Sequence, residues 1–61
     1  MRLLTKEELK NRTEAELWDL YRRLLLLLPT LREGSLDHLN VLMNLVIIRE
    51  AIAHRAQPRP G

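Results

Sequence analysis

Sixty-one residues allow one domain at most, near the size at which a lone core becomes marginal without a disulfide, a metal or oligomerisation. The absence of cysteine excludes a disulfide framework and thiol chemistry, and it fits a reducing compartment. Ten Lys/Arg against eight Asp/Glu leave a net charge of +2, with the arginines dispersed rather than clustered, so no phosphate-tracking stripe forms and direct nucleic-acid binding is not expected. The chain is 46% hydrophobic, yet Trp18 and Tyr21 are its only aromatic residues. That composition of Leu, Ile, Val and Ala is what packed helices use.

Two helix starts stand close together. "TKEE" offers Thr5 as N-cap with Glu8 three residues on, and "TEAE" repeats the arrangement with Thr13 and Glu16. Each is a capping box, in which hydroxyl and carboxylate satisfy orphan backbone N–H groups at the helix start. The expectation is a short opening turn from Lys6 to about Asn11 and then a long helix from Glu14. A single continuous helix from Lys6 is the alternative.

From Glu14 onward, Leu17, Leu20, Leu24, Leu27 and Leu28 follow the i, i+3, i+4, i+7 rule and make one face. Asp19 stands where it can pair with Arg22 and Arg23 on the opposite side. Pro29 removes a backbone donor and disfavours helical angles at Leu28, so the helix is expected to end near Leu28. A last turn reaching Arg32 is the alternative. "REGS" reads as a turn, with Gly34 able to take a positive φ and Ser35 as the next N-cap.

The second long helix is expected from Leu36 to about Arg55. Leu42, Leu45, Ile48 and Ile52 form its seam with Val41 beside them, widened by Leu39, Val46 and Ala53. Asn40 and Asn44 are assigned to its polar side, as solvated surface or as side chains hydrogen-bonded to a loop, with a polar device that fixes partner register as the alternative. "QPRPG" cannot continue a helix and reads as a disordered tail, residues 57–61, after a single domain over residues 1–56. Connections this short make the long helices antiparallel neighbours, so the fold class is an all-α helical hairpin with a short N-terminal helical turn. Two copies would make a four-helix bundle.

The apolar residues overrun one face. "RRLLLLLPT" carries five consecutive leucines. On the helical wheel Leu25 lies about 80–100° from the centre of the main stripe, alongside Trp18 and Tyr21, and Leu26 points almost directly away. Met43 and Ile47 are a similar excess on the second helix. A two-helix hairpin has one internal interface and cannot cover all of these. Each large side chain left in water forgoes roughly 1.5–3 kcal/mol of burial. A partner surface is therefore expected, either a second copy or a different protein, and the physics of the sequence leaves both open.

Catalytic chemistry is not expected. His38 and His54 are sixteen residues apart on one helix, too far to ligate one metal, and both read as structural. His54 falls at i+4 from Glu50, as an ion pair or as a cation facing the helix's negative end. Ser35 reads as a cap without a base beside it, and no glycine-rich loop or facing carboxylate pair is present. The chain reads as a non-enzyme without cofactor or metal. With no apolar run long enough for a signal peptide or a membrane span, it reads as cytoplasmic. Trp18 and Tyr21 read either as the edge of the core or as an interface anchor, aromatics being dominant in hot spots. Arg49 can lay its stem on apolar surface and project its head toward an acidic group.

The stretch "NRTEAELWDLYRRL", followed by a turn and "NVLMNLVIIREAIA", resembles the QseM-type small antiactivators of proteobacterial integrative and conjugative elements. The resemblance runs through Thr13, Glu14, Glu16 and Leu17, then Leu20, Tyr21 and Arg22, and after the turn Asn40, Leu42, Leu45, Ile48 and Arg49. The turn itself, "PTLREGSLDH", is less basic than in that family, and Met43, Val46 and Ile47 are more apolar. The resemblance implies an antiactivator. Such a protein binds the helix-turn-helix-related domain of a transcriptional activator and represses excision and conjugative transfer genes, under quorum-sensing control. Trp18, Tyr21, Leu25, Met43, Ile47 and Arg49 are the expected partner-binding residues. The competing expectations are a homodimeric four-helix bundle with a structural or RNA-binding role, and an antitoxin-type inhibitor.

Overall fold

The computed structural model describes residues 3–56, and the expected tail lies outside the described residues. Three helices follow one another: α1 (Lys6–Lys10), α2 (Glu14–Leu27) and α3 (Leu36–Ala56), with a single 3-10 turn over Leu28–Thr30 after α2. No strand occurs among the described residues. The two long helices pack against each other as an antiparallel hairpin, and α1 packs on α3.

Local chemistry explains the boundaries. Thr13, in extended conformation, accepts a hydrogen bond from the Glu16 N–H at 3.1 Å, while the Glu16 carboxylate accepts from the Thr13 N–H at 3.1 Å. This is a complete capping box. At α1 only half of the second box forms. Thr5 accepts from the Glu8 N–H, and the Glu8 carboxylate takes the Thr5 hydroxyl at 3.3 Å instead of the backbone N–H. Ser35 caps α3 by accepting from the His38 N–H at 3.1 Å, and Gly34 supplies the left-handed residue before it with φ +82°.

Pro29 acts differently from the expectation. Leu28 keeps right-handed helical angles, φ −49° and ψ −50°, and its N–H still reaches the Leu24 carbonyl. Pro29 sits at the start of the 3-10 turn, where an absent N–H costs nothing. The chain leaves helical angles only at Leu31, with φ −100° and ψ 147°. The five leucines thus stay helical or nearly so throughout.

The core consists of Leu9, Leu17, Val41, Leu45, Ile48 and Ile52, with Leu4, Leu20, Tyr21, Leu24, Ile47 and Ala51 partly buried against it. Leu27 and Leu28 are also half-buried, so the stripe expected on α2 is the inward one. On α3 the seam is rotated from the expectation. Leu42 is exposed, as are Leu39, Val46 and Ala53, and the buried line runs Val41, Asn44, Leu45, Ile48, Ile52. The cause is Asn44. It is 1% exposed, and its Oδ1 accepts a 2.7 Å hydrogen bond from the Leu4 backbone N–H. The amide makes a side-chain hydrogen bond to chain outside the helices, as one expectation had it, but it is buried and not on the polar face, because the N-terminal segment supplies its donor.

The N-terminal segment therefore runs alongside α3 as a strap. It is fixed at one end by Leu4 on Asn44 and in the middle by Leu9 in the core. At the far end the Arg55 guanidinium donates to the Lys10 carbonyl. Five residues are too few for a helix to stand alone in water, so α1 exists because Leu9 is buried.

Candidate interaction surface

Helical geometry sorts the side chains of the hairpin into two flanks. At about 100° per residue, Asn44, Ile47 and Ala51 lie to one side of the buried line of α3, and Leu42, Val46 and Arg49 to the other. The strap covers the first side, since Leu9, Lys10, Ile47, Ala51, His54 and Arg55 line one cleft between α1 and α3. Because α2 runs antiparallel to α3, the flank of α2 beside Leu42 and Arg49 is the one carrying Trp18, Tyr21 and Leu25. The hairpin thus has a covered flank and an open flank.

The open flank is apolar. Trp18 is 42% exposed, Leu25 43%, Leu42 39% and Val46 57%, above a floor that includes buried Leu45 and half-buried Tyr21. The rings of Trp18 and Tyr21 meet edge to face, with centroids 5.8 Å apart and planes at 81°, which fixes both orientations. Leu39, Met43 and Leu36 extend apolar surface around the outer side of the first half of α3, so that stretch is apolar on its outer side as well as on its inner one. Helices of that kind are normally enclosed.

Of the expected contact residues, the structure brings Trp18, Tyr21, Leu25 and Arg49 together on the open flank. Met43 lies on the outer side of α3, and Ile47 is half-buried on the flank that α1 covers. Leu42 and Val46 belong to the open flank although the sequence pattern assigns them to the core. The buried line through Val41, Leu45, Ile48 and Ile52, with Asn44 held inward by the tertiary bond from Leu4, leaves them outward.

The charges around the two flanks differ as well. Arg23 pairs with Asp19 at 3.0 Å and Arg12 with Glu16 at 3.3 Å, all four side chains being well exposed. Arg22, in contrast, finds no carboxylate among the described residues, and neither does Arg49. The Glu16 carboxyl is held below its ordinary value by the Thr13 backbone N–H first, then by the Thr13 hydroxyl and Arg12. Glu50 and His54 form no ion pair with each other. The Nδ1 atom of half-buried His38 is enclosed without a hydrogen-bond partner.

No group of three or more metal-capable side chains occurs among the described residues, and none of their helices is long and apolar enough to cross a membrane. Comparison with family models, with curated proteins and with solved structures finds no match. The chemistry this arrangement offers is that of a contact surface: rigid aromatic and aliphatic side chains beside two uncompensated guanidinium groups.

Proposed function

We propose that this chain is an antiactivator-type regulator: a small helical module that binds a transcriptional activator through its helix-turn-helix-related domain and masks it. Its effect is repression of the excision and conjugative transfer genes of a mobile element. The observation that carries the reading is the open flank, where Trp18, Leu25, Leu42 and Val46 stay exposed beside a hairpin whose other flank is closed by its own strap. Soluble monomers rarely leave such a contiguous patch without using it. The resemblance of "NRTEAELWDLYRRL" and "NVLMNLVIIREAIA" to the QseM-type antiactivators supplies the kind of partner.

The test has two stages. Sedimentation across a wide dilution series comes first; the reading expects a monomer, or a dimer that dissociates at micromolar concentration. A reporter driven by the activator encoded on the same mobile element then loses expression when this chain is supplied, and recovers it with the Trp18→Gln/Leu25→Gln variant. A dimer that persists on dilution, or a reporter indifferent to the chain, overturns the reading.

A further inference from the structure

We infer that the open flank receives a single amphipathic helix of another protein, bearing acidic side chains beside its apolar stripe. The inference rests on the masking role proposed above and specifies the chemistry of what is masked. Two independent features of the molecule lead to it.

The first is the covered flank, which displays how this hairpin is closed. There a helix lies along α3 and inserts Leu9 beside Leu17, Ile48 and Ile52, with its neighbouring backbone held by Asn44. The open flank is the counterpart furrow between the same two helices, lined by Trp18 and Leu25 on one wall and Leu42 and Val46 on the other. An element of the same kind, a helix with apolar side chains every three or four residues, fits a furrow between two helices by the same ridge-and-groove packing. Both flanks of the hairpin are then closed, and Trp18, Leu25, Leu42 and Val46 leave water.

The second is charge. Among the described residues, Arg22 and Arg49 are guanidinium groups without an ion pair along the open flank, with Glu14 at its end, whereas the acids of α2 facing elsewhere, Glu16 and Asp19, are already engaged with Arg12 and Arg23. Glu14, at the end of the flank, lies in the first turn of α2, where it faces the positive end of its own helix. Glu50 lines the cleft between α1 and α3, away from the open flank. A helix with carboxylates flanking its stripe meets cations; one with lysines meets like charge. A second copy of this chain would bring Arg22 and Arg49 against a surface carrying the same two arginines, which disfavours self-pairing through this flank.

The experiment uses two synthetic helical peptides without tryptophan, carrying the same leucine stripe, one flanked by glutamates and the other by lysines. Trp18 is the sole tryptophan, so its emission reports directly on the flank. The glutamate peptide is expected to shift that emission to the blue saturably, with an affinity that falls as salt is raised, and the lysine peptide to bind about tenfold or more weakly. Arg22→Glu/Arg49→Glu should reverse the order of the two peptides while leaving helicity unchanged, since both arginines are exposed. Leu42→Gln should abolish the shift, and Met43→Gln, on the outer side, should leave it.

No saturable shift with either peptide, equal affinity for both, or a blue shift that grows with protein concentration alone as the mass doubles would each overturn the inference. Failure here with a repressed reporter leaves masking standing and removes only the acidic helix. A dimer that persists on dilution removes both.

Discussion

The two flanks of this hairpin are built from the same two helices and end differently. On the covered flank Leu9 is 3% exposed and Asn44 1%, because a segment of the chain itself was available to close over them. On the open flank Trp18 and Leu25 remain more than 40% exposed, although the residues there are larger and the potential gain from burial greater. What separates the flanks is therefore chain connectivity, not hydrophobicity. The strap can reach only one side, and it chose the side with the buried amide. Stability should reside in the hairpin seam and the covered flank, and recognition in the open one.

The largest effect is expected from Leu17→Ala, which empties the centre of the seam common to both flanks. Leu17 is fully buried, and a Leu→Ala change at such a site costs about 2–5 kcal/mol. A chain of this length holds only roughly 3–9 kcal/mol in total. Thermal melting followed by circular dichroism should lose its cooperative transition. A melt that keeps its midpoint would show that α2 and α3 are held together elsewhere.

Next in size is detachment of the strap. Leu9→Ala removes the one apolar anchor of α1, at a cost of about 2–3 kcal/mol, within the range for truncating a buried leucine. Hydrogen exchange should show the amides of α1 and Leu4 losing protection while Leu17 and Ile48 keep theirs. Asn44→Ala acts on the same contact from the other side, leaving the Leu4 N–H without its acceptor at a cost of about 1–3 kcal/mol. Its signature is loss of protection at Leu4 with α2 and α3 intact. If either variant unfolds the whole chain, strap and hairpin are one cooperative unit and the flanks do not differ in stability.

These differences are unevenly legible in the sequence. The capping box of Thr13 and Glu16, the cap at Ser35, the positive φ at Gly34 and the inward stripe of α2 were legible because each rests on residues within a few positions of one another. The seam of α3 was legible only in part. Val41, Leu45, Ile48 and Ile52 turn inward as their spacing requires, but Leu42 does not, because the hydrogen bond that buries Asn44 comes from Leu4, forty positions away. The same long-range contact displaces Ile47 from the expected contact set to the covered flank. The excess of leucine pointed correctly to exposed apolar surface; which side stays exposed depends on where the strap lies, and no local pattern encodes that.

A smaller effect is expected at the start of α2. Thr13→Ala should cost about 1 kcal/mol, as loss of a hydroxyl cap usually does. Glu16 adds a dependence on pH whose sign follows from its lowered carboxyl. A group with a lower value folded than unfolded contributes fully above the unfolded value, here 4.5, and loses that contribution as the pH falls through the folded value. Helicity should therefore decline on acidification below about pH 4.5, and Glu16→Gln should flatten that part of the curve. An unchanged acid limb in Glu16→Gln would mean the capping box does not hold the helix start in solution.

The smallest effect on stability falls at Leu25 and Leu26, and there the comparison of flanks becomes sharpest. These neighbours are 43% and 77% exposed, and neither belongs to the core. Leu26→Lys should move the melting curve within about 0.5 kcal/mol, as surface substitutions do, and Leu25→Lys only slightly more. Stability thus scarcely distinguishes them. Binding does: Leu25 stands on the open flank beside Trp18, whereas Leu26 points away from the seam, so Leu25→Lys should abolish masking of the activator and Leu26→Lys should leave it. The five leucines then divide by surroundings, with Leu24 against the core, Leu27 and Leu28 half-buried, Leu25 against a partner, and Leu26 against water. Nothing in the structure explains a leucine at that last position. If Leu26→Lys weakens masking as much as Leu25→Lys, the contact surface wraps around α2 and is not confined to the furrow.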